Sequence, residues 1–160
     1  MEFSRHPDCQ KCDLHVTCTS VGIPTRYFGN GEPSGRGRAL FVIGEAPGFD
    51  EDQSGTCWVG RAGQLLEKAY IKDVFHFHEK SDVYVANVCR CRPPNNDTPT
   101  EKQRKACLPY LHEDLDLLTS AYDEVWVLCC GAVAAWAFGF KSLTEALKHQ
   151  GDDLQLRVIQ

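Results

Sequence analysis

The feature that most constrains this chain is a short apolar run, residues 39–43, that is followed at once by a glycine-rich turn. The run reads ALFVI, is too short for most helices and stops at Gly44, so it predicts a buried strand of a parallel sheet. In the turn, residues 44–48 (GEAPG), the proline fixes φ and the glycines let the backbone approach a ligand closely. Open α/β sheets bind ligands at the carboxyl ends of their strands, so this turn is a candidate site.

Three further apolar runs predict the remaining strands of the sheet. They cover residues 83–86, 124–130 and 154–159. Helical spacing of apolar residues lies between them, over residues 62–75, 101–120, 132–139 and 143–149. Alternation of strands with helices predicts an α/β fold, a three-layer α/β/α sandwich around a mostly parallel four-stranded sheet. The 160 residues fit one domain, residues 1–160.

Local signals refine two of these elements. Thr100 or Thr98 can cap the helix over residues 101–120, with Pro99 at its entrance. The acidic residues of the stretch after Gly48 are expected to lie on a loop at the carboxyl end of the first strand. An acidic loop can be ordinary solvated surface, but the glycine turns on both sides of this one favour a site.

Charge and hydropathy narrow the class of protein. No apolar run reaches the roughly 18 residues of a membrane-spanning helix, and the N-terminus lacks an apolar signal region, so we expect no membrane partner and a cytoplasmic location. The net charge of −5 argues against a general polyanion binder but leaves room for local basic patches.

Nine cysteines are the strongest compositional signal. In a chain with no export signal they favour metal ligation over disulfides. Four of them could converge: the C-x-x-C pair Cys9 and Cys12, Cys91 after the second predicted strand, and Cys107 on the following helix. The long gap between the pair and the other two favours an iron–sulfur cluster over a zinc knuckle. From the pattern alone, Cys89 remains an alternative to Cys91.

Several motifs occur along the chain in a fixed order. They are C-x-x-C at Cys9, FGNG from Phe28, GEAPG-x-x-ED-x-x-G from Gly44, VGRAGQLL from Val59, N-V-x-x-CRPPNN from Asn87 and CLPYL from Cys107. Together they resemble the family 4 uracil-DNA glycosylases, the iron–sulfur branch of the uracil-DNA glycosylase superfamily. The resemblance covers most of the chain.

The resemblance implies a [4Fe–4S] cluster held by Cys9, Cys12, Cys91 and Cys107. Cys89 then lies beside a ligand, and Cys18 stands where the family commonly has arginine. The cluster of this family is expected to be structural, joining the N-terminal segment to the loop and the helix. Cys129 and Cys130 lie in an apolar strand and are predicted core residues.

The resemblance also implies removal of uracil from DNA. The base must be flipped out of the stack into a pocket, which Gly44 and Ala46 would help to line. The amide of Asn87 can accept from uracil N3–H and donate to O4, whereas cytosine presents the opposite polarity. Trp58, where the family has phenylalanine, would stack on the flipped base, and Cys57 replaces the preceding proline.

Cleavage of the glycosidic bond passes through an oxocarbenium-like sugar and a departing uracil anion, so it needs a negative group near the sugar. Glu45 is the first choice for that group and Glu51 the second. In the family the Glu51 position is associated with crowding against the methyl group of thymine. Ala46 stands where several sister families have a water-activating aspartate.

The resemblance ends before a histidine-containing segment that the family has after its last strand, and the fold is therefore expected to be incomplete at its C-terminal end. None of His76, His78, His112 and His149 fits that motif. The alternative to an enzyme is accordingly a weak or inactive cluster-bearing DNA-binding module. A zinc-binding structural domain is a third interpretation.

The expected partner is uracil-containing DNA. Residues that could contact phosphates are Arg61, Arg90, Arg92, Lys102, Arg104 and Lys105. For the last three, ordinary helix-surface charge is an equally good interpretation. We expect a monomer that can also form part of a larger assembly.

Overall fold

The computed structural model describes residues 1–68 and 81–149. Its sheet has four strands in the order β1-β3-β2-β4, with β2 parallel to both β3 and β4 and β1 antiparallel to β3. The strands are β1 Arg26–Tyr27, β2 Arg38–Gly44, β3 Asp82–Asn87 and β4 Glu124–Cys129. The sheet is therefore mostly parallel, as the alternating pattern predicts.

Helices connect and flank the strands. They are α1 Leu14–Thr17, α2 Phe49–Ser54, α3 Arg61–Leu65, α4 Glu101–Ala121, α5 Ala132–Ala137 and α6 Leu143–Lys148, with a short 3₁₀ helix at Pro94–Asn96. Among residues 1–68 and 81–149, no helix is both long enough and apolar enough to cross a bilayer.

The central strand β2 is buried on both faces, which explains its continuous apolar sequence. Phe41 and Ile43 pack into a core with α4 and α5. Leu40 and Val42 pack into a second core on the opposite face of the sheet. That second core is completed by residues on both sides of β1, by the loop after α2 and by the end of α3, which are Ile23, Phe28, Cys57 and Leu66. Because both faces are covered, the two ends of the sheet remain the places where a ligand can bind.

Helix α4 begins where its capping signal predicts. The Thr100 hydroxyl accepts a hydrogen bond from the Gln103 backbone N–H at 3.2 Å, and the Gln103 side chain accepts from the Thr100 N–H at 2.9 Å. Leu111, Leu115 and Leu118 form its buried stripe.

The predicted α/β fold is confirmed, with two differences. The antiparallel edge strand β1 was not predicted, because two residues carry no readable period. The acidic stretch after Gly48 is the first turn of α2 and not a loop, since Asp50, Glu51 and Asp52 favour a helix N-terminus. The predicted strand over residues 154–159, the helix beyond residue 68 and the His76–His78 motif lie outside the described residues.

Asp82 anchors the start of β3. Its carboxylate accepts from the backbone N–H groups of Ser34 and Gly35 at 3.1 and 3.0 Å and from the Tyr122 hydroxyl at 2.7 Å. Burial alone would raise the pKa of Asp82, but these hydrogen bonds to Tyr122, Ser34 and Gly35 outweigh burial and lower the pKa. The carboxylate thus ties the loop before β2 to the end of α4.

Replacement of Asp82 by asparagine should reduce both stability and its pH dependence. A carboxyl group with a depressed pKa in the folded state contributes stability above its unfolded pKa, and this contribution is lost as the pH falls through the folded pKa. We expect Asp82→Asn to lower the free energy of unfolding by about 1–3 kcal/mol at neutral pH, with a smaller difference in acid. Urea unfolding at several pH values measures both quantities. The exposed Asp116→Asn serves as control, and parallel pH curves for Asp82→Asn and wild type would contradict the assignment.

Candidate active site and cysteine cavity

The candidate site is built where β2 and β3 end side by side. Gly44 and Asn87 are register partners in the parallel pair, so the turn after β2 and the amide after β3 meet at one edge of the sheet. An added Cβ at Gly44 would lie 2.6 Å from Asn87 Oδ1 and 2.8 Å from Trp58 Cζ2. Only glycine therefore lets the amide and the indole converge at this point.

The side chain of Asn87 is buried and uncommitted. Asn87 is 6% exposed, and none of the described residues hydrogen-bonds its amide. An amide in this state at the wall of a cleft is suited to bind a polar ligand.

Trp58 is fixed from several sides. Its indole Nε1–H donates to the Ala86 carbonyl at 2.9 Å, one residue before Asn87. Its φ of +59° is unusual for a residue with a side chain. Arg26 holds this conformation by donating to the carbonyls of Cys57 and Trp58 at 2.7 and 3.1 Å. An added Cβ at Gly63 would lie 2.0 Å from the Trp58 carbonyl oxygen, so α3 packs directly on this backbone.

These residues enclose a cleft with a cavity volume of about 270 Å³. The predicted site residues that line it are Gly44, Glu45, Ala46, Glu51, Trp58 and Asn87. The second glycine turn, residues 60–63, also lines the cleft, as its position beside the acidic stretch predicts, whereas Cys130 was not predicted as part of the wall. Cys130 follows the end of β4, so its position beside two other strand ends was the available signal. Burial raises the pKa of Cys130 to about 11, which keeps the thiol neutral.

The two predicted carboxylates have different surroundings. Glu51 Oε1 accepts from the Gly48 N–H at 3.1 Å, and Oε2 accepts from the N–H groups of Val59 and Gly60 at 3.0 and 2.6 Å. Glu51 thus anchors the loop that carries Trp58. Glu45 is half-buried in the cleft, and its carboxylate has no hydrogen bond or ion pair with another described residue. Of the two, Glu45 is the carboxylate that is available to a ligand.

A second cavity lies among the predicted cluster ligands. Cys9, Cys12, Cys91 and Cys107 all line it, together with Lys11, Leu14, His15, Gly22, Arg90, Ala106 and Tyr110. Within the described residues, no three His, Cys, Asp or Glu side chains are arranged to hold one metal ion. Four thiols that surround a common cavity without meeting at one point suit a polynuclear group better than a single zinc ion.

Hydrogen-bond donors point at three of these sulfurs. The Tyr110 hydroxyl donates to Cys9 Sγ at 3.1 Å. The backbone N–H groups of Arg90 and Gly22 donate to Cys107 Sγ at 3.3 Å and to Cys91 Sγ at 3.5 Å. Donors to sulfur stabilise thiolate ligands and tune iron–sulfur clusters. The donor set therefore fits such a group.

Cys89 and Cys18 lie beside the predicted ligands. A hydrogen bond from the Cys89 thiol lowers the pKa of Cys107 to about 7, against the opposing effect of burial. Cys18 is hydrogen-bonded to Cys91, whose pKa burial raises to about 12. Neither Cys18 nor Cys89 lines the cavity.

The cation predictions separate into three groups. Arg90 is 4% exposed and pairs with Asp114 at 2.9 Å, so its prediction as a phosphate contact is wrong. Arg61 is exposed at the cleft, and Arg92 is half-buried over the ring of the exposed Phe49. Of the others, Arg104 stacks on Trp136, Lys105 pairs with Glu101, and Lys102 is exposed.

The prediction that Cys129 and Cys130 are core residues is too strong, because both are half-buried.

Comparison with known proteins agrees with this geometry. The family model described as "Uracil DNA glycosylase superfamily" matches residues 31–158. A Type-4 uracil-DNA glycosylase of Pyrobaculum aerophilum is 40% identical over 114 residues, 69% of this chain and 51% of that protein. The Type-4 enzyme of Archaeoglobus fulgidus is 38% identical over 127 residues, 79% of this chain and 56% of that protein. The chain spans about half the length of the curated relatives that it matches.

The anchoring role of Glu51 can be tested by Glu51→Gln. The glutamine amide would present a donor to backbone N–H groups, so we expect a loss of about 1–3 kcal/mol in the free energy of unfolding. The loop should also loosen and expose the indole of Trp58 to water. The measurement is Trp58 fluorescence and urea unfolding in a Trp126→Phe, Trp136→Phe background. The matched control is Asp50→Asn, an exposed carboxylate on the same helix, and equal behaviour of the two variants would contradict the role.

Proposed function

The chain belongs to the uracil-DNA glycosylase superfamily, and we propose on that basis that it excises uracil from DNA by hydrolysing the N-glycosidic bond. One observation carries the proposal: the amide of the buried residue Asn87, which no other described residue hydrogen-bonds, faces the same cleft as the indole of Trp58. The names of the relatives, Type-4 uracil-DNA glycosylases, support the same activity.

Asn87 is the residue proposed to recognise the base. Its amide oxygen accepts from uracil N3–H and its NH₂ group donates to O4. Cytosine reverses both polarities, and a mismatched buried polar pair costs about 1–3 kcal/mol or more. Trp58, held in place by its bond to the Ala86 carbonyl, provides a flat surface for the flipped base. Base–aromatic stacking of this kind contributes about 1–3 kcal/mol.

Glu45 is the proposed catalytic carboxylate. A negative charge at this position would stabilise the oxocarbenium-like sugar or orient the attacking water. The absence of hydrogen-bond partners around Glu45, among the described residues, leaves both of its oxygens available. Glu51 is proposed as a positioning residue, because its oxygens are occupied by three backbone N–H groups. Ala46 offers no side chain for general-base catalysis.

We further propose that Cys9, Cys12, Cys91 and Cys107 hold a [4Fe–4S] cluster. The support is the shared cavity and the donors that point at three of the four sulfurs. When bound, the cluster would cross-link the N-terminal segment, the loop after β3 and helix α4. Two cations are proposed to bind the phosphates of a DNA strand: Arg61, which is exposed at the cleft, and Arg92, which is half-buried over the ring of Phe49.

The activity can be tested by uracil release from a single-stranded oligonucleotide. Wild type should release uracil, and Asn87→Ala should lower kcat/KM by about 10–100-fold through loss of base recognition. Glu45→Gln should lower kcat by about 10²–10³-fold, as expected for loss of a preorganised transition-state charge. Removal of the Asn87 amide leaves no described group unpaired, so this variant should fold.

The controls for this experiment come from the exposed loop before β2. Asn30→Ala and Glu32→Gln remove the same chemical groups from exposed positions and should keep wild-type rates. Cluster-loaded wild type that binds the oligonucleotide but releases no uracil would contradict the proposed activity. That result would favour the DNA-binding module.

The cluster assignment can be tested by comparing two cysteines that are neighbours in sequence. Protein purified without oxygen should contain about four iron atoms per chain and absorb visible light. Cys91→Ala should lose most of both, because it removes a ligand, whereas Cys89→Ala should keep them. Iron loss in Cys89→Ala alone would contradict the ligand set. About one zinc per chain and no visible absorption would contradict the cluster itself.

A further inference from the structure

Arg90 lies between the two sites: the residue lines the cysteine cavity, and its side chain reaches toward the end of β3. It is three residues after Asn87 and one residue before Cys91. At 4% exposure it is among the few buried charged residues of the described chain. A buried cation needs compensation for its lost hydration, so its contacts indicate what it does there.

Two groups of the guanidinium have partners. Nε–H donates to the Asn87 backbone carbonyl at 2.9 Å. Nη1–H donates to Asp114 Oδ2 at 2.9 Å, and this oxygen also accepts from the Thr25 hydroxyl. The planar guanidinium thus fixes the backbone of Asn87 relative to the Asp114 carboxylate on α4.

The remaining contacts of Arg90 are with the cysteine cavity. Its backbone N–H donates to Cys107 Sγ at 3.3 Å, and the residue forms part of the cavity wall. Its Nη2 is buried and has no hydrogen-bond partner among the described residues. Buried guanidinium donors are normally satisfied, and because Arg90 lines the cavity, what the cavity holds is the candidate partner of Nη2.

We propose that Arg90 is a positioning residue that couples the cysteine cavity to base recognition, donating to the cluster side through Nη2 and to Asn87 through Nε. The inference rests on the proposed function. A thiolate-bound iron–sulfur group is negatively charged, and a buried cation at its side favours its binding. Because the fork is planar and rigid, a guanidinium held by the cavity and by Asp114 also holds the Asn87 carbonyl in place.

A purely structural role for Arg90 makes a different prediction. If Arg90 served only to neutralise Asp114, any cation that reached the carboxylate would suffice. Neither the cluster nor uracil binding would then depend on the planar set of guanidinium donors. Lysine provides such a cation but lacks the planar set of donors. Arg90→Lys therefore separates charge from geometry and keeps Asp114 paired.

The first part of the test is the kinetics of uracil release by the cluster-loaded chain. Arg90→Lys should raise KM about ten-fold, as for loss of a hydrogen bond to a charged donor, with kcat changed less than about two-fold. The matched control, Arg38→Lys, alters an exposed ion pair with Glu124 at the opposite end of β2 and should leave KM unchanged. A wild-type KM in Arg90→Lys overturns the coupling.

The second part reads the cluster directly. The Fe–S stretching bands in the resonance Raman spectrum depend on hydrogen bonds to the cluster and its ligand sulfurs. The double variant Arg90→Met/Asp114→Asn removes both charges of the ion pair, so that no unpaired carboxylate is left buried. Circular dichroism verifies that the double variant folds. We expect shifted bands in this variant and unshifted bands in Arg38→Lys. Unshifted bands in a folded Arg90→Met/Asp114→Asn variant overturn the proposal.

The two proposals fail in distinguishable ways. A cluster-loaded wild type that releases no uracil contradicts the proposed function, and the coupling falls with it. An active wild type with an unchanged KM in Arg90→Lys overturns the coupling alone.

Discussion

The parallel pairing of β2 with β3 is the constraint on which both sites depend. Their register makes Gly44 and Asn87 neighbours, and the pairing continues past the strands: Val88 N–H donates to the Gly44 carbonyl and Cys89 N–H to the Glu45 carbonyl, at 2.9 and 3.0 Å. A shift by one residue would turn Asn87 away from the cleft and would move the cysteines that follow it. One ladder of backbone hydrogen bonds therefore positions both the amide proposed to recognise the base and the predicted cluster ligand.

The sheet and its site edge could be predicted from the sequence, because buried parallel strands leave a strong local signal. Residues 39–43 form a strand that is apolar on both faces, and a glycine turn follows it. Edge strand β1 could not be predicted, since its two residues are placed by pairing with β3 alone. The cleft residue Cys130 was also missed, because its apolar surroundings predict a core residue and only its place at the end of β4 indicates the cleft.

Charged residues were the least predictable part of the site, because their roles depend on partners distant in sequence. Glu45 and Glu51 look equivalent in the sequence, yet the Glu51 carboxylate accepts from the backbone of residues 48, 59 and 60, and the Glu45 carboxylate accepts from none of the described residues. Arg90 looks like a loop cation beside a DNA site, but it pairs with Asp114, which lies 24 residues away on α4. The local pattern identifies which groups are present, and the tertiary contacts determine which of them a substrate can reach.

The indole at position 58 has a consequence that a phenyl ring would not have. Its Nε1–H bond to the Ala86 carbonyl connects the stacking surface to the same strand end that carries Asn87. Glu51 and Arg26 fix the backbone on both sides of Trp58, so the indole has little freedom to turn. A cleft whose two walls are bound to one strand loses little conformational entropy when a ligand enters, and the proposed ligand is a flipped base. Under the proposed function, discrimination between bases depends on the polarity of the Asn87 amide.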